Sequence, residues 1–325
     1  MVGGNAPDPL HCIAKRCHEA FMLTQMDCFG LTDVGRKRPT NQDHFLIADL
    51  NKSLRVHGTS LNLDHETRIY GGSQGKLLLV ADGMGGEAEG ERASTIAVDA
   101  VTTYVLNSLA WCFRLEEDSE QDFEDHLKEA LVSCQTSIQD VSRQHPAMNS
   151  MGTTMTMAYI VWPRAFIVHV GDSRCYFLRD RKLEQVTTDH TMGNVLADVG
   201  HVSREDARRS SMGHALWNVL GGRSKDLSVD IYKLTLQRDD TLLLCTDGLY
   251  DMVSNEMLES ILNAGASAES TCHKLADLAN ANGGKDNITL VISNFLSPEP
   301  DEPRAFVEAE VPLDVLTALP SDAKD

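Results

Sequence analysis

Residues 77–86 read LLLVADGMGG, a run of four large apolar residues that soon ends in an aspartate beside a glycine. Residues 242–248 read LLLCTDG and residues 167–172 read IVHVGD, so two further apolar runs end with an aspartate next to a glycine. Apolar runs of this length, bounded by glycine, are typical of buried β-strands. A single aspartate–glycine step is most often a hairpin turn, but three of them after three strands favour a shared site.

The rest of the chain alternates less regularly between strand-like and helix-like patterns. Predicted strands lie near residues 44–49, 76–81, 153–161, 165–170, 174–178, 227–236, 241–245 and 287–293. Apolar residues at three- and four-residue spacing predict helices at residues 91–112, 122–144, 255–263 and 268–281. Because helices follow one another in pairs instead of separating each strand from the next, the sequence predicts an α+β domain with helices over the outer faces of antiparallel sheets.

Composition excludes several classes of protein. The chain has 325 residues, of which 42% are hydrophobic and 24% charged, as in globular proteins with a large core. Lys and Arg total 29 against 48 Asp and Glu, which gives a net charge of −19. This charge repels phosphate backbones and anionic lipids, so neither nucleic acid nor a membrane is an expected partner. No apolar stretch reaches the roughly 20 residues that a membrane-spanning helix needs.

The cysteines and the first residues predict a cytoplasmic location. Eight cysteines are spread along the chain without a Cys-x-x-Cys pair, which is typical of a reducing compartment. Residues 1–10 lack a basic region that leads into an apolar one, so a secretory signal is not expected. Two cysteines and two histidines fall within residues 11–18, where ordinary helical packing is favoured over a zinc site.

One folded domain is expected between two terminal segments. Residues 297–303 are acidic and rich in proline, a composition that favours an extended linker. The predicted organisation is an N-terminal extension over residues 1–25, a single domain over residues 26–296 and an acidic, proline-containing tail over residues 297–325.

Five aspartates stand at predicted strand ends. Asp82, Asp172 and Asp247 end three strands, while Asp43 opens the first strand and Asp286 the last. If these strands lie side by side in two packed sheets, their carboxylates share one cleft, where mutual repulsion requires a compensating cation. Because the candidate ligands at the strand ends are carboxylate oxygens, magnesium or manganese is expected in preference to zinc.

Six short motifs follow one another over about residues 28–295. They are RPTNQD at 38–43, ADGMGG at 81–86, MGTT at 151–154, VGDSR at 170–174, CTDGL at 245–249 and GKDN at 284–287. The motifs and their order resemble those of the type 2C, metal-dependent (PPM) protein phosphatases, and the glycines after Asp82 are similar to those of the bacterial branch.

The resemblance implies a fold and a reaction. The implied fold is a central antiparallel β-sandwich flanked by helices on both outer faces, in four α-β-β-α layers. The implied reaction is hydrolysis of phosphoserine and phosphothreonine in proteins by water activated between two Mn²⁺ or Mg²⁺ ions. By motif match Asp82 bridges the two ions, the Gly83 carbonyl binds one of them, and Asp247 and Asp286 bind the other.

Further roles follow from the resemblance residue by residue. Asp172 matches the position of a third, weaker metal in bacterial members, and Arg38 matches the residue that grips the substrate phosphate. Asp43 matches an acidic position that supports the metal site through water, although a role as the cap of its strand is equally compatible with the sequence. Gln42 stands where the family usually has glutamate and is not assigned as a ligand.

The residue that protonates the leaving oxygen is left open by the sequence. Eukaryotic relatives often have a histidine where this chain has Met84, and bacterial relatives often have one where it has Glu87. Glu87 is the candidate catalytic acid, whereas its alternative role is a negative charge at a helix N-terminus. A metal-bound water or solvent is the remaining source of the proton.

The sequence leaves alternative functions open. The replacements at Gln42, Met84 and Glu87 prompt the alternative of a catalytically weakened scaffold or phosphoprotein-binding module, but the complete aspartate set favours an enzyme. A third hypothesis is a regulatory phosphatase that acts on an anti-sigma-type partner. The expected partners are phosphorylated proteins, opposite a protein kinase, and a monomer is expected. The polar segment at residues 188–213 resembles a flap, whose arginines either meet phosphoproteins or are solvated helix charge.

Overall fold

The computed structural model describes residues 25–55, 68–107, 120–145, 148–203, 206–207, 210–222 and 226–296. The predicted N-terminal extension, apart from its last residue, and the whole predicted tail lie outside these ranges. So do residues 11–18, with their cysteines and histidines, and the flap arginines Arg204, Arg208 and Arg209.

Twelve strands and six helices make up the described chain. The strands are β1 (Gln25–Asp33), β2 (Asp43–Arg55), β3 (Arg68–Met84), β4 (Gly152–Thr153), β5 (Met155–Val161), β6 (Arg164–Val170), β7 (Arg174–Arg179), β8 (Lys182–Gln185), β9 (Leu220–Gly221), β10 (Asp230–Thr235), β11 (Thr241–Cys245) and β12 (Ile288–Leu296). The helices are α1 (Glu87–Asn107), α2 (Glu120–Gln144), α3 (Met192–Asp198), α4 (Asp247–Tyr250), α5 (Asn255–Leu262) and α6 (Ala268–Ala281).

The strands form two antiparallel sheets. A five-stranded sheet has the order β1-β12-β11-β7-β8. A seven-stranded sheet has the order β10-β6-β5-β3-β4-β9, with β2 also paired to β3. Strands β6 and β7 follow each other in sequence but belong to different sheets, so the residues between them carry the chain from one sheet to the other.

The apolar run of β3 is buried on both of its faces. Leu77 and Leu79 pack with α1 and α2 residues, whereas Leu78 and Val80 pack in a cluster shared with the five-stranded sheet. Successive side chains of a strand point to opposite faces, so an uninterrupted apolar run fits a strand that is covered on both sides. This explains why the run shows no alternation with polar residues.

The five-stranded sheet repeats this arrangement. Leu244 of β11 belongs to the cluster between the sheets, and its neighbour Leu243 packs with Leu258 and Leu275 of α5 and α6. Three apolar clusters therefore separate four layers, with helices outside each sheet. The predicted α+β fold, a central antiparallel sandwich flanked by helices on both outer faces, is confirmed.

Several predicted boundaries differ from the structure. Strand β1 was not expected, and the strand predicted at residues 153–161 is divided into β4 and β5. The short strands β8 and β9 and the helices α3 and α4 were also not expected, and the helix predicted from residue 91 begins at Glu87. Strand β1 contains Asp27, Gly30 and Asp33, which are poor strand formers, but it pairs with β12 over nine residue pairs.

None of the three aspartate–glycine steps closes a hairpin. Asp82 and Gly83 lie within β3, Asp247 and Gly248 begin α4, and Gly171 with Asp172 lies in the crossing between the sheets. Each aspartate is thus placed by a different backbone geometry. What the three share is their position at one edge of the sandwich.

No helix among the described residues is both long enough and apolar enough to cross a membrane. Within the same ranges five cysteines are free thiols: Cys28, Cys134, Cys175, Cys245 and Cys272.

The start of α1 lies against the end of β3 through two glycines, which generates a test of the packing. A Cβ atom on Gly90 would lie 2.7 Å from the Gly83 carbonyl oxygen and 2.8 Å from Cδ of Gln42. Gly90→Ala should therefore lower the free energy of unfolding by about 1–3 kcal/mol, although alanine is the better helix former. Urea unfolding without metal measures this change.

Gly86→Ala is the matched control for Gly90→Ala. Its new Cβ would meet nothing closer than Glu89 Oε1 at 3.6 Å, an ordinary contact. Equal unfolding midpoints for the two variants would contradict the close packing of α1 on β3.

Candidate metal centre

Two of the five aspartates face each other across a pair of strands. Asp43 of β2 is paired in register with Asp82 of β3. The Thr246 hydroxyl, from the segment that leads into α4, donates to Asp43 Oδ2 at 2.8 Å. A hydroxyl from the five-stranded side thereby orients a carboxylate of the seven-stranded sheet. Asp43 is buried, with 4% of its surface exposed, so this contact is shielded from solvent.

Hydrogen bonds to Thr153 and Thr154 fix the backbone of Asp82 on the side of β3 that does not pair with β2. Its N–H donates to Thr154 Oγ1 at 3.1 Å, and its carbonyl accepts from the Thr154 N–H at 2.9 Å and from Thr153 Oγ1 at 2.8 Å. The next residue, Gly83, donates its N–H to the Gln42 carbonyl at 3.2 Å. Asp82 and Gly83 are thus held between two neighbouring strands.

Asp247 is the first residue of α4, in the five-stranded half of the domain. Its Oδ1 atom is buried and has no hydrogen-bond partner among the described residues. A buried oxygen without a partner is costly to leave unsatisfied. A cation at this position would supply the missing interaction, so the site fits a divalent ion on an observation independent of any resemblance.

Asp286 precedes β12 and is paired with Arg38. The guanidinium donates from Nε to Oδ1 at 2.8 Å and from Nη2 to Oδ2 at 2.6 Å, a bidentate contact. Asn287 holds the loop that carries Arg38, because its Nδ2 donates to the carbonyls of Val34 and Thr40, both at 2.9 Å. The Arg38 side chain is 54% exposed, so the pair lies at the mouth of the site.

Asp172 lies in the crossing from β6 to β7. It is 5% exposed, and its backbone carbonyl accepts from the Tyr250 hydroxyl at 3.1 Å. The crossing thus places Asp172 against α4, the helix that starts with Asp247. The five predicted aspartates are brought together by the structure, with contributions from both sheets.

The charges of these carboxylates oppose one another. Burial and then the charges of Asp43, Asp247, Asp172 and Asp286 raise the pKa of Asp82 well above its usual value. Burial also raises the pKa of Asp43 to about 6, and burial followed by the nearby charge of Asp189 raises that of Asp172 to about 7. A hard divalent cation relieves this repulsion, and carboxylates are the ligands that Mg²⁺ and Mn²⁺ prefer.

Two residues near Asp247 were missed by the sequence analysis. Ligand atoms of His214, Asp247 and Asp251 all lie within 4.8 Å of one another. Asp251 is four residues after Asp247, so the spacing of a helical turn could have identified it. His214 directly follows the flap segment, and no local pattern connects it to Asp247.

The replacement at Gln42 has a structural explanation. Its side-chain Nε2 donates to the Gly86 carbonyl at 3.1 Å, and its backbone N–H donates to Asn287 Oδ1 at 2.9 Å. An ionised glutamate has no donor for the Gly86 carbonyl. Gln42 therefore links the loop after Asp82 to the segment that carries Asp286.

Of the two positions considered for the leaving-group acid, only that of Met84 has a described side chain, and methionine carries no acidic group. Met84 is the last residue of β3 and is 38% exposed. Glu87 begins α1, but its side chain lies outside the described part of the structure.

The raised pKa values predict a pH dependence of stability in the metal-free protein. Between about pH 6.5 and 8 the folded state retains protons on these carboxyls that the unfolded state has already released, so the protein should become less stable as the pH rises. His169 opposes this trend only at the lower end of the range, because burial lowers its folded-state pKa to about 4, whereas the unfolded imidazole still binds part of a proton at about pH 6.5 and almost none at about pH 8. Thermal unfolding in a chelator measures the effect.

Manganese provides the complementary measurement. Because the ion binds deprotonated carboxylates, it should raise the unfolding midpoint more at about pH 8 than at about pH 6.5. A metal-free midpoint that is higher at the higher pH would contradict the proposed repulsion.

Comparison with known proteins identifies the family. The Protein phosphatase 2C family profile matches residues 59–281. The serine/threonine phosphatase Stp of Listeria monocytogenes is 34% identical over 216 residues, which are 66% of this chain and 83% of that protein. The serine/threonine protein phosphatase PstP of Mycobacterium tuberculosis is 33% identical over 234 residues, which are 72% of this chain and 42% of that protein.

Solved structures agree. The crystal structure of the M. tuberculosis phosphatase PstP/Ppp is 27% identical, with a TM-score of 0.66, and the match covers 84% of this chain and 100% of that one. The PstP catalytic domain in complex with two manganese ions is also 27% identical, with a TM-score of 0.63, over 85% of this chain and 100% of that one. The matched region, the antiparallel sandwich and the converging aspartates have one explanation: the chain belongs to the Protein phosphatase 2C family.

Proposed function

We propose that this chain removes phosphate from phosphoserine and phosphothreonine in proteins, in a reaction that depends on Mn²⁺ or Mg²⁺. Two observations carry the proposal: five aspartates from both sheets lie close enough for the charges of the other four to act on Asp82, and the buried Oδ1 of Asp247 has no hydrogen-bond partner among the described residues. Family membership and the two manganese ions in the PstP structure support the same reaction.

The aspartates would hold the ions in distinct roles. Asp82 would bridge two ions, with the Gly83 carbonyl on one and with Asp247 and Asp286 on the other. Asp172 would take part in a third, weaker site, and Asp43 would support the centre through water. When bound, ions of this kind polarise a phosphoryl oxygen and lower the pKa of water, so that water can attack phosphorus near neutral pH.

Arg38 would bind the substrate phosphate. Its guanidinium already makes a bidentate contact with a carboxylate, Asp286, at the mouth of the centre. The same fork of donors matches two oxygens of a phosphate. Its hydrogen bonding to Asp286, and then the charges of Asp286, Asp247 and Asp82, raise the pKa of Arg38, so it stays positively charged beside the incoming dianion.

The hydrogen bonds of Gln42 favour catalysis over a scaffold role. The absent glutamate was one reason to consider a weakened phosphatase or a phosphoprotein-binding module. In the structure the glutamine secures the loop after Asp82 through the Gly86 carbonyl. Gln42 departs from the family pattern, but it therefore stabilises the loop beside an intact set of aspartates.

The wider setting is also part of the proposal. We propose a monomer with one catalytic domain over residues 26–296, an N-terminal extension over residues 1–25 and a tail over residues 297–325. It would act opposite a protein kinase in the cytoplasm. The free thiols among the described residues support a reducing compartment.

The role of the aspartates is tested by removing them singly. Asp82→Ala and Asp247→Asn should each lower kcat/KM for a phosphothreonine peptide with Mn²⁺ by about a thousandfold or more, because several kcal/mol of transition-state stabilisation depends on the ions they hold. Asp277→Asn, which changes an exposed acid on α6, is the control and should retain activity. A folded wild-type protein that binds Mn²⁺ but hydrolyses no phosphopeptide would support the scaffold instead.

Glu87→Gln tests the proposed catalytic acid. A serine alkoxide is a poorer leaving group than an activated phenolate and depends more on protonation. The variant should therefore slow a phosphoserine peptide more than an activated aryl phosphate. Glu91→Gln, four residues further along α1 and exposed, should affect neither substrate, and equal slowing of both substrates by Glu87→Gln would count against this role.

A further inference from the structure

Asp172 lies in a short segment that is held before and after it by two consecutive residues, Asp189 and His190. The segment Gly171–Arg174 crosses between the sheets, and Asp189 and His190 lie beside it, between β8 and α3. His190 contacts Gly171, which precedes Asp172, and Asp189 contacts Arg174, which follows it by two residues. The pair thus brackets the aspartate in sequence and in space.

His190 binds both backbone polar groups of Gly171. The His190 N–H donates to the Gly171 carbonyl at 2.7 Å, and the Gly171 N–H donates to Nδ1 of the imidazole at 3.2 Å. Gly171 has a φ of +108°, and a Cβ there would lie 2.6 Å from Thr154 side-chain atoms. The backbone before Asp172 therefore has an unusual conformation that one residue secures from both ends.

The hydrogen bonds define the tautomer of the ring. Asn218 Nδ2 also points at His190 Nδ1, at 2.7 Å, and the Asn218 amide orientation is set by Ser228, whose carbonyl accepts from Nδ2 and whose N–H donates to Oδ1. Two donors at Nδ1 require that this nitrogen carries no proton. The proton is then on Nε2, which donates to Asp230 Oδ2 at 3.2 Å.

The other side of the bracket is an ion pair. Arg174 donates from Nε and Nη2 to the two oxygens of Asp189, at 2.9 and 2.6 Å, and both side chains are less than one tenth exposed. Its guanidinium carbon lies 3.5 Å from the centre of the Tyr250 ring. The Tyr250 hydroxyl in turn donates to the Asp172 carbonyl, so this side too leads back to the aspartate.

We propose that His190 is a positioning residue for Asp172, which it controls by fixing the Gly171 backbone through the acceptor Nδ1. The inference rests on the proposed role of Asp172 as a metal ligand. Groups that orient metal ligands from behind typically change metal affinity or activity by about 10–100-fold when they are altered. Loss of the Nδ1 acceptor should therefore weaken Mn²⁺ binding at the Asp172 site without removing any ligand.

If His190 had a purely structural role, different atoms of its ring would matter. The ring is buried and packs against His169 at 4.8 Å and Trp217 at 5.1 Å between ring centres. If it served only to fill this space and to hold β10 through Asp230, the Nε2 contact and the ring volume would matter, and the Nδ1 acceptor would not. The two roles therefore depend on different atoms of the same ring.

Two substitutions separate these atoms. In His190→Asn the side-chain oxygen can occupy the place of Nδ1 and accept from the Gly171 N–H, while the contact with Asp230 is lost. In His190→Gln an amide donor can reach toward Asp230, while the acceptor next to Gly171 is lost. Both variants remove the ring, so both lose the packing with His169 and Trp217.

The first measurement is Mn²⁺ titration by calorimetry of the full chain, with thermal unfolding of the metal-free proteins as a check of folding. His190→Gln should weaken the lowest-affinity Mn²⁺ site about 10–100-fold, whereas His190→Asn should stay close to the wild type. Asp172→Asn is the reference that removes the ligand itself. Equal Mn²⁺ affinities in the Gln and Asn variants, or a weaker site in the Asn variant alone, would overturn the inference.

Hydrogen exchange without metal tests the positioning step independently of the metal role. The Gly171 amide should exchange at least about tenfold faster in His190→Gln than in His190→Asn, because only the first leaves the amide without its acceptor. An unchanged Gly171 amide in the Gln variant would overturn the proposal. If exchange responds as expected but Asp172→Asn keeps wild-type Mn²⁺ affinity, the failure lies in the proposed metal role of Asp172, and the effect of His190 on metal binding is overturned with it.

Discussion

Repulsion among five buried or partly buried aspartates is the constraint on which the rest of this structure depends. Without a cation, carboxylates held in this way favour separation or the retention of protons. Burial, followed by the charges of nearby carboxylates, raises the pKa values of Asp43, Asp82 and Asp172. The chain holds them together by fixing backbone first. Asp82 lies within paired strands, and Asp247 is the first residue of α4. Asp172 lies in the segment between the two sheets, which is hydrogen-bonded on both sides of it.

The sandwich makes this possible because neither sheet supplies the whole set. Asp43 and Asp82 come from the seven-stranded sheet, while Asp247 and Asp286 border the strands of the five-stranded one. Polar side chains then join the halves. Thr246 reaches Asp43 across the gap, and Asn287 both anchors the loop with Arg38 and accepts from the Gln42 N–H. These contacts align two sheets that share no strand.

Much of the architecture and most of the candidate centre could be predicted from the sequence, for identifiable reasons. The apolar run at residues 77–81 is long because both faces are buried, so it marked a central strand without reference to its partners. Strand β1 could not be found in this way, because its polar residues and glycine become a strand only through pairing with β12. Long-range pairing overrides local preference in such cases.

The same distinction applies within the centre. The aspartates adjoin short motifs and were identified from them, whereas His190 and His214 are connected to the centre only by contacts between distant segments. Gln42 was visible as a departure from the family pattern, but its hydrogen bond to the Gly86 carbonyl needed the folded loop. Motifs locate groups that act directly, and the groups that hold them in place emerge from the structure.

The apolar layer between the sheets has a consequence for the chemistry at their edge. Leu78 and Val80 on one side meet Leu244 and Val291 on the other, and interiors of this kind are packed at nearly crystalline density. That layer separates the carboxylates of the seven-stranded sheet from those that border the five-stranded sheet. A substitution that changes the volume of the core between the sheets would therefore change the spacing of the carboxylates without altering a single charged residue.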